Sequence, residues 1–449
     1  MRCVVALCTL LCAVALVVLA WEYRTPAFVA LRPWLLPGLL VGSVVLVGLY
    51  SMQLRRTASD RRLLRGLGFL GLLAAVLALT VTLVGEGRFQ WLRRQVLTAE
   101  PAALERLGRH VIVGFERLED MQRLVRLRAV AGVFLAGRNV RGLDVARVRA
   151  MIDSLQQIRR EQGLPLLWIA ADQEGGVVSH LSPPLPRLPP LADLVARAPD
   201  ATTLEAAVRD YAVSQAQGLV QVGVNLNFAP VVDLNHAIVN PADRYTKIYQ
   251  RAIGRDPALV ARVAGWYCQG LEQAGVRCTL KHFPGLGRVF EDTHRQAASL
   301  ATPLDELAAS DLLPFRSVLG ETGAFTMLSH LRLAAVDAAQ PVSTSGVVVQ
   351  GLLRGAWGHD GVLITDNCTM AAIYHSEFGI EGAAVQALNA GVDLLLISWD
   401  SSQFYPVMHA LLQAERAGTL DTEALRRSAR RLQRAGMPLP DPGLKSAVP

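Results

Sequence analysis

Three stretches without a charged side chain, residues 3–20, 33–54 and 66–85, open the chain, and after residue 105 short apolar runs alternate with segments of helical period. Each uncharged stretch is close to the roughly 20 residues that cross a bilayer as a helix, so three transmembrane helices are predicted. The later runs are 110–115, 131–135, 166–171, 224–229, 278–282, 325–329, 361–365 and 392–397. Being nearly continuous in apolar residues rather than alternating, they read as strands of a parallel sheet covered on both faces. Amphipathic stretches such as 145–162, 201–220, 257–274 and 344–356 fall between them and read as helices. Eight βα units close naturally into a (β/α)8 TIM barrel. The expected organisation is a membrane region at 1–94, an α/β barrel at 95–440 and a flexible tail at 441–449.

Charge orients the membrane region. Arg55, Arg56, Arg61, Arg62 and Arg65 lie between the second and third spans, whereas only Arg24 and Arg32 lie between the first two. The richer connector is expected on the cytoplasmic side, which puts the N-terminus inside and everything after residue 85 on the periplasmic face of a bacterial inner membrane. Arg88, Arg93 and Arg94 work against this placement. The alternative reading of the first span, a cleaved signal peptide with Arg2 as its n-region, leaves the later part on the same side. Of the +7 net charge, residues 1–94 hold 11 Arg against 3 Asp/Glu, leaving 34 basic and 35 acidic residues beyond. The basicity therefore belongs to membrane topology, and nucleic acid is excluded as a partner. Cys3, Cys8 and Cys12 sit in the first span; Cys268, Cys278 and Cys368 have no metal-ligand spacing. A disulfide between Cys268 and Cys278 is possible, but the preferred reading is two small buried apolar residues.

Polar residues collect where the predicted strands end. Asp172, Asn227, Lys281, His282, Ser329, His330, Asp366 and Asp400 all lie at or just past a run, where barrel active sites are built. The densest segment is KHFPGLGRVFEDTHR, Lys281 to Arg295, in which Pro284, Gly285 and Gly287 forbid a packed helix and leave a cation, two imidazoles and a carboxylate for a ligand.

Together with AADQEGG after the third run, NLNFAPVVDLN over 225–235 and GVLITDN over 361–367, this segment resembles glycoside hydrolase family 3, specifically the single-domain bacterial β-N-acetylglucosaminidases of the NagZ type. The resemblance covers about residues 105–435. It implies a retaining β-N-acetylhexosaminidase acting on N-acetylglucosamine in peptidoglycan-derived fragments, without metal or organic cofactor. Asp366 matches the family nucleophile, which forms a covalent glycosyl intermediate; the other reading of this residue is a helix cap. Asp292 and His294 match an Asp-x-His acid/base pair, and an imidazole suits a group that must donate and then accept a proton near neutrality. Asp172, Arg251, Lys281 and His282 match sugar-binding positions, whereas Asn227, Asp233 and Glu174 read as scaffold. The chain departs from the pattern at Val177 and at His180, which stands in a segment where an arginine usually helps hold the sugar and is taken here as a binding candidate. Leu286, Arg288 and Val289 replace His, Asp and Thr, and Asn367 replaces a second Asp. These changes keep open a β-glycosidase or phosphorylase for another sugar, or a non-catalytic tethered binder of wall fragments. The oligomeric state is not fixed by the sequence.

Overall fold

The computed structural model describes residues 2–57 and 62–436 and divides into two compact units, Met1–Thr98 and Ala99–Pro449. The tail expected at 441–449 lies outside the described residues.

The first unit is three helices, α1 (Arg2–Glu22), α2 (Arg32–Arg56) and α3 (Arg62–Leu97), each long and apolar enough to cross a membrane. Helix α3 runs well past the predicted 66–85, because Glu86 to Leu97 contains no proline to stop it. Its 36 residues extend about 54 Å at 1.5 Å per residue, against a hydrocarbon core of about 30 Å. Gly68, Gly71, Ala75, Ala78 and Thr82 recur every three or four residues along its buried face. Such small residues allow close packing of helices, here around Ala13, Ala20, Tyr23, Leu39 and Tyr50. Arg24 pairs with Glu86 at one end of this bundle.

The second unit is the barrel. Its strands are β1 (Val111–Gly114), β2 (Gly132–Leu135), β3 (Trp168–Ala171), β4 (Leu226–Asn227), β5 (Thr279–Phe283), β6 (Phe325–Leu328), β7 (Leu363–Asn367) and β8 (Leu394–Ile397), one for each predicted run. Each pairs in parallel with its neighbours, and β8 pairs with β1. Between β4 and β5 closure is by two single bridges, Leu226 to Arg277 and Val231 to Lys281. The run at 224–229 yields only two strand residues because its polar members do other work. Asn225 Oδ1 accepts from the Ile169 N–H, Asn227 bonds the backbone of Gln173, and Pro230 has no N–H to give.

Helices Val145–Glu161, Ala201–Gln221 and Pro257–Gln273 follow the predicted periods and begin behind Asp144, Asp200 and Asp256, each accepting a backbone N–H. The fourth, Val347–Ala356, is wound as a π-helix rather than the expected α-helix. Ile112, Phe134, Ala170, Leu226, Phe325, Met327, Ile364, Leu394 and Leu396 fill the centre. Cys268 and Cys278 form a disulfide, correcting their reading as separate apolar residues: the chain reverses at Gly275, with φ +84°, and brings the two Cα atoms within 5.4 Å.

Candidate active site

The C-terminal ends of the strands gather the polar residues in two groups. The first lies after β3, β4 and β5. Lys281, only 2% exposed, places its Nζ 2.6 Å from both Asp172 Oδ1 and Glu174 Oε1. Glu174 also accepts from Arg251 through Nη2 (2.6 Å) and Nε (2.9 Å), the two-bond fork that guanidinium and carboxylate geometry favours. Arg251 Nη1 donates to the Thr246 carbonyl at 2.7 Å. Burial pushes the Glu174 carboxyl upward, but Arg251 and Lys281 outweigh it and hold the group far below the usual carboxylate range. Burial likewise lowers the Lys281 ammonium, and Asp172 and Glu174 reverse this to leave it above its ordinary value. Two buried cations are therefore matched by two carboxylates.

Asp233, read as scaffold, holds the next residue. Its carboxylate accepts from His282 Nδ1 (2.7 Å) and from the backbone N–H groups of His282 (3.0 Å) and Leu286 (2.8 Å). With Nδ1 held by Asp233, the other ring nitrogen of His282, Nε2, faces Arg251 Nη2 at 3.3 Å. His180 lies beside Asp172, with Nδ1 3.8 Å from Oδ2, beyond hydrogen-bonding range.

Asp366, near the end of β7, anchors the second group. Its Oδ1 accepts the Asn367 N–H at 2.7 Å. Burial raises the carboxyl pKa, yet the His282, His330 and His294 imidazoles and this N–H bring it below the ordinary value. The cap alternative does not apply, since helix Ala371–Tyr374 begins behind Met370. Asn367, where the resemblance expected a second Asp, ties β7 to the next loop, its Oδ1 accepting from the Thr369 and Ser398 N–H groups. His330 bridges Ser343 Oγ (2.7 Å) and the Asn367 carbonyl (3.1 Å). The carbonyl needs a donor, so Nε2 carries the hydrogen and Nδ1 accepts from Ser343.

The Asp292–His294 segment joins this second group, with the Ala371 N–H donating to the His294 carbonyl at 3.1 Å. Asp292 is buried and accepts from the backbone N–H groups of Arg244 (3.1 Å) and His294 (3.2 Å) and from Thr246 Oγ1 (3.2 Å). The His294 ring remains partly exposed, its Nδ1 3.6 Å from Asp292 Oδ1, within ion-pair range but longer than a formed hydrogen bond. Burial raises the Asp292 carboxyl; His294 and the Arg244 N–H more than offset this and keep it ionised to lower pH. Tyr245 stands beside the imidazole, ring centroids 5.6 Å apart.

All eight candidate residues thus lie on the barrel's C-terminal face, with Arg251 deeper than a simple substrate contact requires. Thr246 was missed, and an isolated loop threonine offers no sequence signal. His330 was noticeable as a polar residue at a strand end, but its partners were not.

Residues 104–435 match the glycosyl hydrolase family 3 N-terminal domain. The beta-hexosaminidase LpqI of Mycobacterium tuberculosis is 34% identical over 358 residues, taking in 77% of this chain and 87% of that protein. A beta-hexosaminidase of Stenotrophomonas maltophilia R551-3 is 36% identical over 301 residues, 66% of this chain and 83% of that one. The solved M. tuberculosis LpqI structure aligns with a TM-score of 0.65 at 32% identity, covering 76% of this chain and 98% of that one. A family 3 beta-N-acetylglucosaminidase from Paenibacillus gives 0.66 at 32% identity, over 74% of this chain and 61% of that one. The fold and site define a barrel glycosidase. The chain belongs to glycosyl hydrolase family 3, alongside its beta-hexosaminidases, and is a glycoside hydrolase.

Proposed function

We propose that this enzyme is a retaining β-N-acetylglucosaminidase that releases terminal N-acetylglucosamine from peptidoglycan-derived fragments. The observation that carries the reading is Asp366: a buried carboxylate at a strand end, kept ionised by surrounding imidazoles and joined to the Asp292–His294 segment through Ala371. Asp366 attacks the anomeric carbon as the glycosidic C–O bond breaks, and cationic His294 gives its proton to the leaving oxygen. Neutral His294 then takes a proton from water as that water displaces Asp366. Asp292 orients the imidazole and stabilises its cation. Asp172, Lys281, His282 and Arg251, with His180 at their edge, bind the sugar.

The three apolar helices support a multi-pass membrane anchor at residues 1–94, with the catalytic domain over 95–440. The arginine imbalance supports an inner-membrane placement with the barrel in the periplasm. The Cys268–Cys278 disulfide favours the same side, since such bonds persist in oxidising compartments. The names of the relatives support the choice of sugar. A 2-fluoro glycosyl inhibitor should add one sugar mass to a peptide containing Asp366, and Asp366→Asn should lose nearly all turnover of an aryl N-acetylglucosaminide. Undiminished turnover in Asp366→Asn, or label on another residue, would refute the assignment.

A further inference from the structure

At the N-terminal ends of β5, β6 and β7, opposite the ends that carry the chemistry, a cleft of about 560 Å³ opens between the strand starts and the last helix, Thr422–Ala435. Ala324 and Val362, which precede β6 and β7, form part of its wall. Arg277, two residues before β5, lies against Gly323, where any side chain would collide with its guanidinium. Arg316, Arg431 and Arg434 complete the charged lining with Asp360. Glu272 engages only Nη1 of Arg277, at 3.1 Å. Arg434 gives only Nη2 to Asp360, which also serves Arg431 at 3.4 Å. Behind them Arg431 and Arg354 share Asp393, each at 2.8 Å. Arg316 is exposed and has no hydrogen bond or ion pair among the described residues.

These five guanidiniums meet three carboxylates, Glu272, Asp360 and Asp393, so two positive charges are left unmatched. His359 also lines the cleft, but burial pushes its pKa down to about 4, and as a neutral ring it does not alter the balance. Glu321, on the adjoining turn, reaches instead toward helix Pro257–Gln273, its Oε2 3.8 Å from where a Cβ on Gly265 would stand. We propose that this cleft is a second, non-catalytic binding site whose ligand is a phosphate monoester. With a second pKa of about 6, such an ester carries close to two negative charges at neutral pH, and guanidinium forks match its oxygens. The volume falls within the roughly 300 to 1,000 Å³ of small-molecule sites, which leaves room beside Trp357 and Leu319 for the body of the ester. From Val362 in its wall to Asp366 is four strand residues, about 13 Å, so the site is separate from the sugar-binding charges. The proposal does not depend on the reading of Asp366. A soluble sugar phosphate and a lipid monophosphate headgroup share this chemistry.

The test is calorimetry on the full-length chain in detergent at pH 7.5, with glucose 6-phosphate beside glucose 6-sulfate, which carries one charge, and with dihexanoyl phosphatidic acid beside dihexanoyl phosphatidylcholine. A charge-assisted hydrogen bond corresponds to about tenfold or more in affinity, so a phosphate monoester should bind at least that much tighter than its control. Arg316→Gln and Arg434→Gln should each weaken that binding by about tenfold. Because Arg316 holds nothing within the protein, Arg316→Gln should keep the urea midpoint of the wild type, and its weaker binding then reports on the cleft rather than on folding. Arg316-sensitive binding of glucose 6-phosphate assigns a soluble ester, and Arg316-sensitive binding of the phosphatidic acid alone assigns a lipid headgroup. Binding of neither monoester, equal binding of the controls, or an affinity unchanged in Arg316→Gln, which would place the anion elsewhere, would overturn the proposal.

Discussion

Replacing Glu174 by Gln tests whether the buried charge network under the proposed sugar site stabilises the barrel. The carboxylate makes three contacts of 2.6 to 2.9 Å with Lys281 and Arg251, whose side chains are 2% and 6% exposed. Gln keeps the shape but leaves Lys281 with Asp172 as its one close carboxylate and Arg251 with no carboxylate within ion-pair distance among the described residues. Removing one partner of a buried ion pair costs about 3 to 5 kcal/mol, roughly a fifth or more of the 5 to 15 kcal/mol that typically holds a domain together. The assay is urea unfolding of the full-length chain in detergent, comparing Glu174→Gln, Arg251→Met and the double variant. The double variant removes cation and anion together, so it should be less destabilised than the sum of the single losses by about 1 to 3 kcal/mol. Because the folded-state pKa of Glu174 is depressed, its contribution is fully present above the ordinary glutamate value of about 4.3 and is lost as pH falls below it. The gap between wild type and Glu174→Gln should close accordingly in acid. A single-variant loss under about 1 kcal/mol, or strictly additive losses, would refute the reasoning.

His294→Ala should cost about 10² to 10⁴ in rate on a substrate with a poor leaving group and much less in glycosylation by an activated aryl glycoside; adding Asp292→Ala should change little further. Equal losses on both substrates would remove His294 as the acid. His110, buried at the start of β1 with Nδ1 2.9 Å from the Asp393 carbonyl, has its pKa pushed down to about 4 by burial. The unfolded chain thus binds the extra proton first, and as pH falls from 6.5 towards 4 about 3 kcal/mol of stability should be lost. His110→Gln should flatten that slope, leaving the same-signed contribution of His359; an unchanged slope would contradict the assignment. A reporter active only in the periplasm should work when fused after residue 100, and one active only in the cytoplasm should not; the reverse would overturn the topology.

The barrel was legible because its strands are apolar without interruption and its chemistry sits where they stop. Where polar residues interrupted a run, as at Asn225 and Asn227, the strand shrank, since their side chains bond neighbouring backbone instead of solvent. Hydropathy located the third apolar helix but not its end, because charged residues continue a helix as readily as they leave a membrane. The Cys268–Cys278 bond depends on the tight reversal at Gly275, which spacing alone does not specify. The candidate residues were legible as polar positions past the strand ends, but their partnerships were not. Arg251 gave no sign of its burial against Glu174.

The drift between Lys281 and Asp292 is the strongest sequence argument against the proposed acid/base pair, and the structure answers it by showing what holds the segment. Leu286 is buried and its N–H is fixed by Asp233. Gly287 passes so close to the Leu234 carbonyl that any side chain there would collide with it. Arg288, in place of an aspartate, pairs with Asp311 at 2.8 Å and Glu306 at 2.7 Å, and the Phe290 carbonyl accepts from Asn240. At the far end Arg244 and Thr246 grip Asp292, and Ala371 holds His294. A loop needs its ends placed rather than its middle preserved, and here the start is fixed by the Leu286 N–H on Asp233 and the far end by Arg244, Thr246 and Ala371, contacts that use none of the side chains at 286, 288 or 289. New side chains have found new anchors, so the segment can differ in sequence while Asp292 and His294 remain beside Asp366.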